Sequence, residues 1–324
     1  MQKIETYQSL VIDYLENYAV SKDPSNLYEP ITYILKLGGK RLRPVLTLMS
    51  AEVFGVDAKQ ALNAALAVEV FHNFTLVHDD IMDEAPIRRG KQTVHDKWDL
   101  NTGILSGDAM LIMAYQFFES YDSDTFKSLI TLFSRTALEV CEGQQYDIDF
   151  ETRNDVTIQE YLKMIEYKTA VLVGAAMQMG AIVANASHTD QKAIYDFGRL
   201  LGIAFQLQDD YLDAFGNPET FGKQVGGDII ENKKTYLYLK TLELGTQKQQ
   251  DSLIDIMGNQ SIEKDEKVNK VKALFEASGA EEATQVAVKD YTNSAFSVLD
   301  SINIANENKQ VLRLFGEQLM KRRV

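Results

Sequence analysis

Apolar residues recur every three to four positions along most of the chain. In ALNAALAVEVFHNFTLVHDD, Leu62, Leu66, Val70, Phe74 and Val77 fall on one face of a helix. Prolines occur only at 24, 30, 44, 86 and 218, leaving two stretches of more than a hundred residues without one, which suits long helices. No run of alternating apolar and polar residues predicts a set of strands. The segments EAPIRRG (84–90) and FGNPETFG (215–222) read as Pro- and Gly-marked loops after helical patterns. The most apolar stretch, AVLVGAAMQMGAIVA (170–184), is shorter than the roughly 20 residues a membrane span needs and contains Gln178, so it predicts a buried core helix. No Ser/Gly- or Pro-rich linker divides the chain. The expectation is one all-α domain spanning residues 1–324.

Charge narrows the partners. Forty-seven acidic against 33 basic residues leave a net charge of −14, which excludes a nucleic-acid surface but allows a local basic cluster to hold a small anion. A lone cysteine, Cys141, permits neither an intramolecular disulfide nor a thiolate metal cluster. The opening MQKIETYQSLVIDYLENY lacks the basic end and apolar run of a secretion signal. Together these predict a cytoplasmic protein with no membrane span.

The chain also echoes itself. HDDIMDEAPIRRGKQTV (78–94) resembles QDDYLDAFGNPETFGKQV (208–225), each running DDxxD, loop, GKQ, about 130 residues apart. On a helix Asp79 and Asp83 project within about 40° of each other, with Asp80 to the side, and Asp209, Asp210 and Asp213 repeat the arrangement. Two helices with carboxylate-bearing ends facing one another across a cavity would explain the echo. Carboxylates gathered in a core repel unless cations sit among them, and Mg²⁺ prefers a few carboxylates completed by water and substrate phosphate. A single DDxxD is ordinarily a solvated helix end; two, each in an apolar helix, point to a metal-dependent phosphate chemistry.

Cationic phosphate ligands are available. GGKRLRP (38–44) offers Lys40, Arg41 and Arg43, and RRG (88–90) offers Arg88 and Arg89 just after the first DDxxD. Guanidinium groups grip diphosphate oxygens in pairs, whereas lysines act as mobile point charges. Taken together and in order, GGKRLRP, HDDIMD, RRG, EYKTA, FQLQDDYLD, GKQ and NKKTY resemble the trans-isoprenyl diphosphate synthases (polyprenyl synthetases) over roughly residues 35 to 240. The resemblance implies the all-α isoprenoid synthase bundle around a deep central cavity, usually a homodimer. It implies Asp79, Asp83 and Asp209 as the principal Mg²⁺ ligands, with Asp80, Asp210 and Asp213 supporting, and three ions held jointly with the allylic diphosphate. Arg88, Lys168, Thr169, Gln206, Lys223 and Lys233 match the allylic side. Lys40, Arg43, His72 and Arg89 match the isopentenyl diphosphate side. His72 precedes Asp79 by nearly two turns and shares its face.

The chemistry so implied is ionisation: metal ions and basic side chains stabilise the departing diphosphate, isopentenyl diphosphate attacks the allylic cation, and apolar helices exclude water. Asp79, Asp83, Asp209, Arg88, Lys168 and Lys223 carry the catalytic step in this reading. In the family a large aromatic residue five positions before the first DDxxD acts as a floor that stops elongation. Phe74 holds that place, yet on an ideal wheel it lies about 140° from Asp79, with Phe71 about 80° and Thr75 about 40° away, so either phenylalanine could be the floor. The small Thr75 departs from the pair of adjacent aromatics found in many fifteen-carbon synthases, and the first motif lacks the two-residue insertion of bacterial farnesyl synthases. Geranylgeranyl diphosphate is therefore the expected product, with farnesyl diphosphate second. A terpene cyclase would replace the second Asp motif and dispense with the isopentenyl diphosphate residues; a non-catalytic subunit would lose an Asp motif. Residues 241–324 predict further helices, and the tail KRRV (321–324) a solvated end.

Overall fold

The computed structural model describes residues 2–18, 22–217, 225–259 and 261–321. Lys223, the GKQ motif (222–224), part of the 215–222 loop and residues 322–324 of the tail lie outside them. Helix follows helix. α1 is Gln2–Tyr18, α2 Ser25–Lys36, α3 Leu42–Val53 and α4 Leu62–Met82. A ribbon of β1 (Ile87–Arg88) and β2 (Lys91–Gln92) precedes α5 (Val94–Lys97), α6 (Leu100–Gln116), α7 (Ser123–Thr152), α8 (Ile158–Ile165), α9 (Val171–Val183) and α10 (His188–Phe215). Then come α11 (Gly227–Ile230), α12 (Tyr236–Leu244), α13 (Gln247–Gly258), α14 (Lys264–Ser278), α15 (Ala280–Ser301) and α16 (Asn306–Met320). No described helix is long and apolar enough to cross a membrane, and the stretch foreseen as a core helix is α9, with Val171, Leu172, Ala175, Met177 and Met179 all buried.

The described chain forms two compact units, Met1–Arg135 with Ala175–Tyr195, and Thr136–Gly174 with Asp196–Val324. In the first, α4 packs against α3 and α6. Ala64, Ala65 and Ala67 are fully buried, and side chains this small let neighbouring backbones approach closely. Asp99 starts α6 by accepting the Thr102 N–H at 2.9 Å. Among the described residues of this unit, the ribbon is the one pair of strands in an otherwise helical chain. It is an antiparallel pair, Ile87 opposite Gln92 and Arg88 opposite Lys91, turned by Arg89 at φ 52° and Gly90 at φ 73°. Two successive left-handed residues are what a tight two-residue hairpin turn requires, and strands of two residues leave no alternation to detect.

In the second unit a capping box, Thr157 with Glu160, starts α8. The EYKTA motif then departs from α-helical winding: Glu166–Ala170 is a π-helical turn inserted between α8 and α9, a feature frequent at functional sites. Gly143 of α7 makes room for it, since a Cβ there would collide with the backbone of Tyr167 and Lys168. The core joins Tyr161 and Ile165 to Leu207, Leu237 and Phe275, and α12 packs against α14 and α15. The predicted C-terminal helices are thus present, and they build this unit's core.

Candidate active site

GGKRLRP, HDDIMD and RRG lie in the first unit; EYKTA, QDDYLD and NKKTY lie in the second. The first unit gathers positive charge. Arg43, at the start of α3, places Nη1 3.1 Å from His72 Nε2 on α4. Burial, and then the nearby Arg43, Arg89, Arg88 and Arg41, hold the His72 pKa well below the ordinary value, so the ring is neutral and Nε2 accepts from Arg43. Arg89, projected by the hairpin turn, donates to the Gly38 carbonyl. Its guanidinium lies 2.8 Å from where a Cβ on Gly39 would be, so only glycine leaves room for it. Burial and Arg41 lower the Arg89 pKa, while Glu69 opposes them. Buried Arg43 Nε has no hydrogen-bond partner. Lys40 is exposed beside these groups in sequence.

Arg41, grouped with Lys40 and Arg43 by sequence, turns inward instead. Only 6% exposed, it pairs with the buried Glu69 of α4 and donates to the Leu35 carbonyl. Asn73 completes the arrangement, donating to Glu69 Oε1 at 2.9 Å. Arg41 is therefore a structural anchor. Glu69 is the negative charge set among these cations, and no motif had drawn attention to it.

The first DDxxD closes α4. Asp79 is half-buried, and Asp83 is exposed at the helix end, its N–H donating to the Asp79 carbonyl. Asp80, to the side, is buried and takes two donors from Arg88 on a single oxygen, Nε and Nη2 each at 2.7 Å. Its other oxygen has no partner, and burial raises its pKa despite Arg88. Upstream, Phe71 is a core residue, its ring 5.1 Å from that of Phe133 and 5.5 Å from that of Phe74. Phe74 retains 8% exposure and meets the His78 ring at 4.7 Å. The Thr75 hydroxyl is occupied by the His72 carbonyl at 2.9 Å.

The second unit gathers the opposite charge in a cleft of about 490 Å³. Among the described residues, seven carboxylate residues (Asp147, Glu151, Asp209, Asp210, Asp213, Asp228 and Glu231) line it with three lysines, so these residues leave net negative charge. Thr169 and Gln206 line it too, their side chains 3.4 Å apart, and Gln206 donates to Asp210 at 3.1 Å. Asp210 also accepts from the buried Tyr161 hydroxyl. Burial and then Asp228 push its pKa well above the ordinary carboxylate value, against Tyr161 and Gln206. Asp213 Oδ2 accepts the Asp228 N–H at 3.0 Å, at the start of α11. Lys168 pairs with Asp147 at 2.5 Å. Lys233 lies 3.0 Å from Glu231 and 3.7 Å from Asp228; burial works against its charge, but these acids outweigh it and raise its pKa.

Asp147, Asp228, Glu231 and Tyr161 were not among the candidates from sequence. Asp228, directly after a Gly pair and shortly before NKKTY, was within reach; Asp147 meets Lys168 across 21 residues with no motif to join them. No three His, Cys, Asp or Glu side chains among the described residues converge tightly enough to hold a metal alone. The donors nonetheless fit Mg²⁺: all are carboxylate oxygens, more numerous than the lysines, and Mg²⁺ is bound by one or two carboxylates completed by water and phosphate.

Comparison with known proteins agrees with the motifs and the helical fold. The polyprenyl synthetase family model matches residues 24–276. The geranylgeranyl diphosphate synthase of Sulfolobus acidocaldarius is 38% identical over 321 residues, 97% of this chain and 96% of that protein. The short chain isoprenyl diphosphate synthase of Methanothermobacter thermautotrophicus is 36% identical over 96% of this chain and 98% of its own. A crystal structure of a geranylgeranyl pyrophosphate synthase superposes with a TM-score of 0.95 at 56% identity, covering 99% of both chains. The chain belongs to the polyprenyl synthetase family, with the all-α isoprenoid synthase fold, and is a prenyltransferase. Enzymes of this family join isopentenyl diphosphate to an allylic diphosphate and are generally Mg²⁺-dependent.

Proposed function

We propose that this chain makes geranylgeranyl diphosphate from isopentenyl diphosphate and an allylic diphosphate. The observation that carries the reading is the sorting of charge: an arginine-rich cluster around His72 in one unit, and an acidic cleft edged by lysines in the other. The relatives named above support the twenty-carbon product. Arg43, Arg89, His72 and Lys40 bind the isopentenyl diphosphate head; the neutral His72 keeps the Arg43 fork oriented by accepting from it. Lys168, Thr169, Gln206, Lys223 and Lys233, together with Arg88, bind and orient the allylic diphosphate. Asp79, Asp83 and Asp209, supported by Asp80, Asp210 and Asp213, would hold three Mg²⁺ ions with that diphosphate, and the metal supplies charge neutralisation to the leaving group. As diphosphate departs, Arg88, Lys168 and Lys223 stabilise the added negative charge.

Phe74 sets product length in this reading, because Phe71 is committed to the aromatic core. We also propose that residues 1–324 act as one domain in a homodimer in the cytoplasm; Leu105 and Ile112, 59% and 60% exposed at seven-residue spacing on α6, support a partner-facing stripe. The purified protein with Mg²⁺, isopentenyl diphosphate and, separately, dimethylallyl, geranyl and farnesyl diphosphate should release diphosphate and give a twenty-carbon product by mass spectrometry. A fifteen-carbon end product would establish the farnesyl alternative, and no diphosphate release from any primer would refute the assignment. Phe74→Ala should shift the product to longer chains, and an unchanged length would free Phe74 of that role.

A further inference from the structure

Lys233 and Lys234 of the NKKTY loop are joined there by Lys267, and of these three only Lys233 forms ion pairs with carboxylates among the described residues. Lys234 reaches two main-chain carbonyls, those of Phe150 at 2.7 Å and Glu151 at 3.0 Å. These belong to the last turn of α7, where carbonyls have no partner within the helix and a cation is favoured by the helix dipole. Lys267, on α14, is stranger. It is only 7% exposed, and its Nζ donates to Asn232 Oδ1 at 2.6 Å and to the Met257 carbonyl at 3.2 Å. Neither acceptor is charged. A lysine this buried with no acid partner among the described residues is rare, and burial pulls its pKa below the ordinary lysine value. An aliphatic residue would be cheaper to bury there, so the ammonium needs a reason in what it holds.

What it holds is the residue before Lys233. Asn232 stands at φ 58°, in the left-handed region that side chains other than glycine seldom occupy. Segment 232–234 is therefore fastened at both ends, by Lys267 at Asn232 and by Lys234 on α7, with Lys233 between them aimed at Asp228 and Glu231. A lysine is a point charge on a flexible stem, and the place its ammonium can reach is set by the backbone that carries it.

We infer that Lys267 is a positioning residue which, by binding Asn232 from α14 and acting with Lys234, fixes the loop that presents Lys233 to an allylic diphosphate. The inference rests on the reading of the acidic cleft as the allylic diphosphate site. Lys267→Met removes both donors without leaving a buried charge. The variant should fold and show a KM for the allylic diphosphate raised about tenfold or more, the scale on which small misplacements act. The KM for isopentenyl diphosphate should stay within about twofold, since its proposed ligands belong to α3, α4, the hairpin and the segment before α3 and not to this loop. Asn232→Gly keeps the left-handed backbone but deletes the acceptor; it should raise the same KM, and adding Lys267→Met to it should change nothing further.

A folded Lys267→Met protein with unchanged allylic KM would overturn the inference, as would effects of the two substitutions that multiply. If Lys267→Met does not fold, Asn232→Gly decides alone, and an unchanged KM sinks the idea. Calorimetric titration with Mg²⁺ and inorganic diphosphate needs no turnover: weaker binding by the variants supports positioning, and equal binding refutes it. Wild-type protein that fails to turn over the two substrates would remove the reading of the cleft, and that titration would still decide the role of Lys267.

Discussion

In the proposed reading the two charged regions answer the same problem, holding a diphosphate, in opposite ways. The first unit presents a cationic cluster built from arginines, with two buried carboxylates, Glu69 set among Arg41, Arg43 and Arg89, and Asp80 bonded to Arg88. Its shape is fixed before any anion arrives: Arg41 is an internal strut, Arg43 is tied to His72, and Arg89 lies across Gly38 and Gly39. The second unit presents an acidic cleft in which two lysines are already bonded to acids, Lys168 to Asp147 and Lys233 to Glu231. That cleft is self-paired and over-supplied with carboxylates, so cations must come before a diphosphate can be held there. In that reading, the site for a bare anion is pre-set by forks, and the site for a metal-bound anion is an acidic bed with movable point charges.

The largest expected difference is in stability. Glu69→Gln leaves Arg41 buried with its countercharge gone, and removing one partner of a buried pair costs about 3–5 kcal/mol. The same carboxylate-to-amide change in the cleft, Asp210→Asn, should cost far less or stabilise the protein, because burial and Asp228 already disfavour the charged form there. Urea unfolding of both variants measures this. A Glu69→Gln protein as stable as the wild type would mean that Glu69 is not the strut described above.

Next in size is the geometry of the cations. Arg43→Lys keeps the charge but loses the fork and the Nη1 contact to His72; with charge-assisted hydrogen bonds worth about 1.5–3 kcal/mol, the KM for isopentenyl diphosphate should rise about 10- to 100-fold. Lys233→Arg, in the other region, should change the allylic KM by only a few-fold, since a point charge is all that position supplies. Steady-state kinetics with each substrate varied in turn checks both. Equal sensitivity at the two positions would erase the distinction between forks and point charges.

Much of this organisation was legible in the sequence, for reasons that also mark its limit. The DDxxD pairs show because two carboxylates four residues apart on an apolar helix are a local pattern, and GGKRLRP and RRG show because charge clusters next to glycine are local too. The roles within a cluster do not show. Arg41 and Arg43 stand two residues apart, yet one faces Glu69 and the other His72, a sorting made by partners 28 and 29 residues away. Lys233 and Lys234 are adjacent and both line the cleft, yet one pairs with its acids and the other caps α7, 83 to 84 residues back. Lys267 carried no signal at all, since its partner Asn232 is 35 residues distant and uncharged. Sequence displays which charges are available; tertiary packing decides which of them are spent on holding the others in place.

The smallest effect to resolve is the response to acid, and there the two regions should move in opposite directions. The folded pKa of His72 is depressed by burial and by the surrounding arginines. As pH falls through about 6.5, the ordinary histidine value, the unfolded chain takes up a proton that the folded protein refuses, so stability present above that pH is lost below it. Asp210 does the reverse: its folded pKa is raised, so as pH falls through that raised value the folded protein binds a proton before the unfolded chain does, and stability is gained. Urea midpoints measured in EDTA between about pH 7.5 and pH 5.5 separate the two. His72→Gln should make the loss on acidification shallower than in the wild type, because the refused proton is gone. Asp210→Asn should make it steeper, because the compensating uptake is gone. Parallel curves for the wild type and both variants would show that neither environment is perturbed as described, and the contrast between a pre-set cationic pocket and a crowded acidic bed would then lose its electrostatic basis.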